Sequence, residues 1–235
     1  MRTSFRLTLV ALMGVLTFGC GEDSSVPAPS GEGDGDGSPP INLSPLLPWT
    51  AGNRWIYRVT EDGEVSEKET ILGEVEAVGG TGPNRDTLAN KVTTLKSSGA
   101  RTLSWQAVVD SRLVRYREQS LRASTGTVKS EEHWEPAKLH VDEAPEHAVA
   151  GASWLETYEE TELADGASSG STVRERWTVL SASESVTVPA GTFEAVVLQK
   201  AGGGTAKTYW FVRGIGKVKE EGGQTEELVS YEVLP

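Results

Sequence analysis

Three evenly spaced histidines are the residues whose chemistry first suggests a functional site. His133, His140 and His147 are all the histidines of the chain, and each lies seven residues from the next. Imidazole nitrogens together with the nearby carboxylates could bind zinc or copper. On a helix this spacing would place them along one stripe, but Pro136 and Pro145 interrupt the segment. We therefore expect solvent-facing loop histidines, and a metal site at the three histidines is the weaker hypothesis.

A second chemical pattern, G-x-S-x-G, occurs at residues 166–170. In α/β-hydrolases this pattern places a nucleophilic serine between a buried strand and a helix, with Asp and then His later in the chain. Here no histidine follows His147, and neither flank has the required strand and helix. The segment therefore predicts a polar hairpin tip without a catalytic residue.

Clustered carboxylates could also do acid–base chemistry. Glu156, Glu159, Glu160 and Glu162 lie close together in the chain, and glycosidases use two carboxylates across a cleft. Spacing alone does not show such a cleft, so a charged edge of a hairpin is the expected role of these residues. We expect a protein that is not an enzyme and has no cofactor, and an acid-dependent hydrolase is the second alternative.

Alternation of apolar and polar residues predicts the elements that would position any such site. Trp55, Tyr57 and Val59 alternate with polar residues, and residues 103–109 and 229–233 show the same period of two. No stretch has a convincing helical pattern, and turn signals recur roughly every 10 to 25 residues. The sequence therefore predicts an all-β antiparallel meander of about 9–11 strands, curled into a barrel, a half barrel or a split sandwich.

A repeated Gly-x-x-Trp pattern indicates how that meander is organised. Gly52 precedes Trp55 by three residues, and Gly151 precedes Trp154 in the same way. The two starts suggest two β-meander halves in one sheet or barrel. Two uses of the interior remain open: a lipid-binding half barrel with surplus apolar residues on its concave face, or a structural barrel in which the tryptophans are core.

Residues 188–221 should form the last strands of the sheet. The stretch reads as a turn, a strand, a glycine loop, an aromatic strand, a Gly-Ile-Gly turn and a third strand. Its segments VPAGTF, YWF and GIGKVK resemble a pattern near the C-termini of secreted or lipid-anchored bacterial β-rich domains, many of unknown function. The residues expected to have structural roles, here and at the two strand starts above, are Trp55, Trp154, Pro189, Gly191, Phe193, Trp210, Gly214 and Gly216.

The beginning of the chain resembles a bacterial lipoprotein signal. Arg2 and Arg6 precede an apolar run at residues 7–16, and Cys20 is the only cysteine. The run is shorter than the roughly 18–20 residues that span a bilayer. The resemblance implies that residues 1–19 are a signal peptide and that Cys20 carries fatty acyl chains such as palmitate. An ordinary signal peptide or a short membrane anchor is the alternative.

The remainder of the chain divides by composition. Residues 20–45 are rich in Gly, Pro, Ser and acid and predict a disordered tether. Residues 46–235 then form a single β domain. Because Gly21 stands where aspartate would signal retention in the inner membrane, the lipoprotein resemblance implies the outer membrane.

Net charge limits the possible partners. The chain has a formal charge of −12, which disfavours nucleic acid because phosphate binding needs clustered basic residues. We expect a lipid-anchored protein of the bacterial cell envelope that acts as a binding or structural module for an envelope protein, polysaccharide or lipid. The first alternative is a periplasmic carrier that binds lipid or acyl chains on a concave β face.

Overall fold

The computed structural model describes residues 44–235, most of which lie in strands. The predicted signal peptide, the acylated Cys20 and nearly all of the predicted tether lie outside these residues. No helix in the described part of the chain is long and apolar enough to cross a membrane. The strands are β1 (Arg54–Glu61), β2 (Glu64–Ala77), β3 (Leu88–Lys96), β4 (Arg101–Val109), β5 (Arg112–Leu121), β6 (Val128–Asp142), β7 (Ser153–Ala164), β8 (Ala167–Val188), β9 (Gly191–Ala201), β10 (Lys207–Val212), β11 (Gly216–Glu221) and β12 (Thr225–Glu232), with one 3-10 helix (Pro145–His147) between β6 and β7.

The twelve strands of the described residues form one closed barrel, in which each strand pairs with the next in the chain. β12 returns antiparallel to β1, where Trp55 pairs with Tyr231 and Tyr57 pairs with Leu228. The predicted all-β antiparallel meander is confirmed, and the barrel is the correct shape among the three predicted. The estimate of about 9–11 strands was too low because some turns lack glycine. Asp110 takes a left-handed φ of 55° between β4 and β5.

Two matching turns begin the two halves of the meander. The N–H of Gly52 donates to the carbonyl of Leu72 at 2.7 Å, and the N–H of Gly151 donates to the carbonyl of Val179 at 2.8 Å. Both glycines have positive φ, 99° and 87°, which other residues rarely adopt. The repeated Gly-x-x-Trp pattern therefore opens β1 and β7, the first strands of two six-strand halves of one barrel.

Residues 45–49, here called the plug, close one end of the barrel. Leu46 and Leu47 are buried, and the N–H of Leu46 donates to Glu143 Oε1 at 2.9 Å. The carbonyl of Pro45 accepts a 2.8 Å hydrogen bond from the N–H of Gly214. The plug is therefore joined both to the segment after β6 and to the β10–β11 turn, which lie at the same end of the barrel.

A second apolar layer lies outside the barrel wall. Tyr209 lines the interior, so the next residue, Trp210, points outward; its Nε1 donates to Glu184 of β8 at 2.9 Å. The N–H of Ala190 donates to the carbonyl of Leu228 in β12. The tip of the β8–β9 hairpin therefore reaches past β10 and β11 and covers Trp210.

The C-terminal segment has the predicted order of strands and turns. Pro189 and Ala190 form the turn before β9, and Gly191 has a φ of 141°. Phe193 pairs with Val186 of β8. The Gly214–Gly216 turn joins β10 to β11 at the plugged end, where it adjoins the plug.

Candidate functional site

A cavity of about 460 Å³ occupies the barrel interior, a size typical of small-molecule sites. Leu47 and Trp49 of the plug line one end of it, and Gly203 and Thr205 of the β9–β10 loop line the other. Both loop residues are exposed. The cavity therefore reaches solvent opposite the plug, at what we call the open end.

The part of the cavity nearest the plug is apolar and aromatic. Each strand of an antiparallel barrel alternates inward and outward side chains, so apolar residues on neighbouring strands meet across the interior. Trp55 donates from Nε1 to the carbonyl of Ile215 at 2.6 Å, which fixes its ring beside the plug. The apolar and aromatic lining residues are Leu47, Trp49, Trp55, Tyr57, Leu72, Val92, Leu139, Trp177 and Tyr209.

One wall of this region is a ladder of aromatic rings. His147 stacks on Trp154 with 3.8 Å between ring centroids, Trp154 on Trp177 at 6.3 Å, and Trp177 on Tyr209 at 5.8 Å. The last step, from Tyr209 to Phe211, is tilted. Stacked rings hold one another in place, so the ladder fixes Trp177 and Tyr209, the two of its members that line the cavity.

Towards the open end the lining is strongly basic. The chain as a whole has 34 acidic and 22 basic residues, yet in its described part six basic side chains and only three carboxylates line the cavity. The sign of the lining is therefore opposite to that of the protein. These side chains are Lys68, Arg115, Lys138, Lys200, Lys207 and Lys217, with Glu118, Glu220 and Glu226.

Three of the lysines share two carboxylates, a group that we call the lysine cluster: Lys68, Lys207, Lys217, Glu220 and Glu226. Lys217 Nζ donates to Glu226 at 2.8 Å and also to Glu220. Lys207 Nζ donates to Glu220 at 2.6 Å, and Lys68 Nζ donates to Glu226. Three ammonium groups against two carboxylates leave a formal charge of one positive unit within the lysine cluster.

Burial and mutual charge shift the pKa values within the lysine cluster. Burial alone would raise the pKa of Glu220 and Glu226, but the ammonium of Lys217, with those of Lys207 and Lys68, outweighs burial and lowers both. Burial would lower the pKa of Lys217, but the two carboxylates raise it well above its ordinary value. Burial and then the charge of Lys217 lower the pKa of Lys68 to about 8. Lys68 is thus the ammonium group of the cluster that loses its proton most readily.

Other basic side chains of the lining have their own carboxylate partners. Lys200 Nζ lies 2.8 Å from Glu175, whose side chain also accepts a hydrogen bond from the hydroxyl of Tyr158 at 2.9 Å. Lys138 Nζ lies 3.5 Å from Glu160. Arg115 pairs in the same way with Glu118. The excess of positive charge is therefore centred on the lysine cluster.

Four buried polar atoms of the lining residues have no hydrogen-bond partner: Trp49 Nε1, Gln106 Oε1, Arg115 Nε and Trp177 Nε1. Gln106 is 3% exposed; its amide nitrogen donates to Ser104 Oγ at 2.7 Å, but its Oε1 is unpartnered. Trp177 is 1% exposed, and its Nε1 is also unpartnered. Buried polar groups without a partner cost free energy. One acceptor and three donors of the lining residues are therefore available to a ligand or to water.

The three histidines do not form one site. His133, 5% exposed, has Nε2 2.7 Å from Glu131 on the outer side of the barrel, whereas His140 lines the cavity. Burial, with the charges of Arg115 and Lys217, holds the pKa of His140 well below its ordinary value. The expectation of solvent-facing loop histidines was wrong for His133 and His140, because both lie in β6. The described residues contain no group of three or more His, Cys, Asp or Glu side chains that could hold a metal ion.

Zinc at modest excess should leave the melting temperature unchanged. His133 already contacts Glu131, and His147 is stacked on Trp154, so neither ring is free to meet His140 at one ion. Metal that binds only the folded state would raise the melting temperature. Thermal unfolding with and without zinc is the measurement. A rise that disappears in the His140→Ala variant would contradict the expectation.

The other patterns with possible chemistry occupy structural positions. The G-x-S-x-G residues lie at the β7–β8 turn, where Gly166 has a φ of 80° and residues 167–170 pair with β7. Among the clustered carboxylates, Glu156 pairs with Arg112, and Glu160 accepts from Trp134 Nε1 at 2.7 Å. These two glutamates are therefore partly buried ion-pair and hydrogen-bond partners, and the expected exposed hairpin edge was wrong for them.

Comparison with known proteins finds similar structures but no match to a family or to a curated sequence. No family model matches the chain, and no curated protein is similar to it in sequence. Two solved structures are similar: a protein of Bacteroides fragilis described as exported, with a YmcC-like fold (10% identity, TM-score 0.47), and a protein of Parabacteroides distasonis described as a lipoprotein (12% identity, TM-score 0.36). In each case the similarity covers 80% of this chain and 99% of the other. At these TM-scores the similarities carry no argument about function.

Proposed function

We propose that this protein is a lipid-anchored binding protein of the bacterial cell envelope, at the outer membrane, which holds a small envelope ligand inside its barrel. The anchor and the location are inferred from the signal-like residues 1–19, Cys20 and Gly21. The binding role is inferred from the cavity. This function unites the expected binding module and the expected carrier. The ligand lies inside a closed barrel, whereas the carrier was expected to bind it on a concave face.

The cavity carries this proposal. A barrel with a purely structural role fills its interior with side chains, whereas this one has about 460 Å³ of space next to unpartnered atoms of Gln106 and Trp177. A site for wholly apolar ligands would be lined predominantly by apolar side chains. The open-end half of this cavity is charged, which favours a ligand with both polar and apolar parts.

Acid-dependent hydrolysis is less well supported than binding. Glu220 and Glu226 do face the cavity as a pair. A general acid, however, needs a carboxyl whose pKa is raised so that it holds its proton near neutral pH. The pKa values of both residues are lowered by the neighbouring ammonium groups, Lys217 above all. Binding of a ligand without chemistry is therefore the function that we propose.

Filling the cavity should remove the ligand. Thr94 of β3 lines the cavity, and the Thr94→Trp variant should retain less than about a tenth of the ligand that wild type retains, because an indole would occupy the space. The measurement is native mass spectrometry of the protein purified from its own envelope in mild detergent.

The adjacent residue provides a matched control. Thr93 lies on the same strand and faces outward, because successive side chains alternate between the two faces. The Thr93→Trp variant should therefore keep the ligand at the wild-type level. If no small molecule accompanies wild type, or if both variants keep it equally, a ligand inside the barrel is the wrong function.

A further inference from the structure

We propose that the ligand is an anionic amphiphile whose charged group binds at the lysine cluster and whose apolar part lies against the tryptophans near the plug. This inference rests on the proposed function and specifies the chemistry of the ligand. A carboxylate or a phosphate on a hydrophobic body has the required properties. The lipid environment of the envelope is one source of such molecules, and small free anions are the alternative that the experiment must separate.

The lysine cluster has more positive than negative charge. Its three ammonium groups share two carboxylates, and the side chains of Lys68 and Lys217 are each only 12% exposed. Cations away from water need counter-charge. An anionic group bound between these lysines would bring the cluster to neutrality. The lowered pKa of Lys68 is consistent with a cluster that lacks one negative charge.

The charged and the apolar parts of the cavity are in direct contact. Lys68 Nζ and Lys217 Nζ lie 5.0 and 5.2 Å from the centroid of the Tyr57 ring. Tyr57 is the next inward-facing residue of β1 after Trp55, and Trp55 adjoins the plug. A molecule with its anionic group at the lysine cluster would therefore extend its apolar part directly onto Tyr57, Trp55 and the residues behind them.

The lysine cluster is accessible from the open end of the cavity. Lys207 is the most exposed member of the lysine cluster, with a side chain that is 36% exposed, and it begins β10 directly after the exposed loop that contains Gly203 and Thr205. A ligand that enters from the open end meets Lys207 first. Its apolar part can then pass inward, and its charged group remains near the loop, where solvation is least disrupted.

Fluorescence titration with cis-parinaric acid and with its methyl ester tests the inference, because the two probes differ in the anionic group alone. The protein carries Cys20→Ser, which removes the acylation position and leaves every described residue unchanged. The acid should bind about tenfold more tightly than the ester, the usual size of a charge-assisted interaction. Lys207→Gln should weaken binding of the acid by about tenfold and leave the ester unchanged, and Lys207→Arg should restore it.

Lys129→Gln, which removes an exposed lysine of β6, is the matched control and should leave both titrations unchanged. Circular dichroism melts verify that each variant is folded. Equal binding of acid and ester, or no effect of Lys207→Gln, overturns this inference alone. Displacement of the acid by equimolar acetate or inorganic phosphate also overturns it, because the site would then accept a free anion without an apolar part. Binding of neither probe by wild type counts against the proposed function itself, and the inference falls with it.

Discussion

Replacement of Lys217 by Met should lower the free energy of unfolding by about 3 kcal/mol, because Glu220 and Glu226 would each lose a buried, hydrogen-bonded ammonium partner. The Lys217 ammonium bonds both Glu220 and Glu226, and these carboxylates are 6% and 3% exposed. Lys207 and Lys68 would remain as their partners. The loss is therefore expected at the lower end of the range for buried pairs.

Urea denaturation followed by tryptophan fluorescence measures this loss. The matched control is Lys219→Met on the same strand, since Lys219 pairs with the half-exposed Glu221. A pair whose carboxylate is exposed to solvent contributes little, so this variant should lose less than about 1 kcal/mol. Equal losses in the two variants would mean that burial of the lysine cluster does not govern its contribution to stability.

The same substitution should change the response of the protein to acid. In wild type the pKa values of Glu220 and Glu226 lie below the ordinary value of 4.5. Their contribution to stability is therefore complete above about pH 4.5 and declines as the pH falls below it. Without Lys217 the carboxylates lose their main counter-charge, while burial still raises their pKa. The free energy of unfolding should then fall much less steeply below pH 4.5, which denaturation curves at several pH values would show.

Alternation in the sequence predicted the strands but could not reveal the charged interior. In β2 the inward residues Lys68 and Thr70 alternate with the outward residues Glu67 and Glu69. Both faces are polar there, so the period of two carries no signal. A lysine in the sequence also gives no sign that it faces the interior, because lysine side chains are usually exposed. A lysine at inward positions on several successive strands, read together with the strand register, is the pattern that would have indicated the site.

β7 reverses the usual pattern of burial. Leu155 is 59% exposed, whereas the neighbouring Glu156 is paired with Arg112 and its side chain is 17% exposed. A leucine is usually inside and a glutamate outside, but Trp154 and Tyr158 lie on the same face as Glu156 and favour the opposite assignment, so the two faces of this strand give conflicting signals. Only the register of β7 with β8, in which Glu156 pairs with Glu175, assigns the polar side chains to the interior.

The tryptophans were predicted as inner packing, and the structure divides them between two layers. Trp55 and Trp177 line the cavity. Trp105 lies on the outer face instead, where it packs with Val78 under the loop after β2, and Arg117 lies 4.4 Å over its ring. The sequence alone could not separate these roles, because a covering loop or hairpin tip buries an outward tryptophan as completely as the barrel core does.

Gly216→Val should be more destabilising than Gly214→Val, although both glycines have positive φ, 112° and 77°. Such a conformation costs a β-branched residue about 1–3 kcal/mol at either position. At Gly216 an added Cβ would also lie 2.8 Å from Leu47 Cδ1 and 3.1 Å from Trp55 Nε1, whereas at Gly214 the nearest atom is the Ser44 Cβ at 3.5 Å. Overpacking adds about 1–3 kcal/mol. Thermal melting should therefore show a larger drop for Gly216→Val.

A double-mutant cycle separates the contribution of the plug from backbone strain. If the contact with Leu47 accounts for the extra loss, Leu47→Ala should cost less in the Gly216→Val background than in wild type, since the alanine leaves room for the new side chain. Additive losses would assign the whole effect to backbone conformation at Gly216. The Gly-Ile-Gly turn would then set the register of β11 without any dependence on the plug. A wild-type melting temperature for Gly216→Val would contradict both explanations.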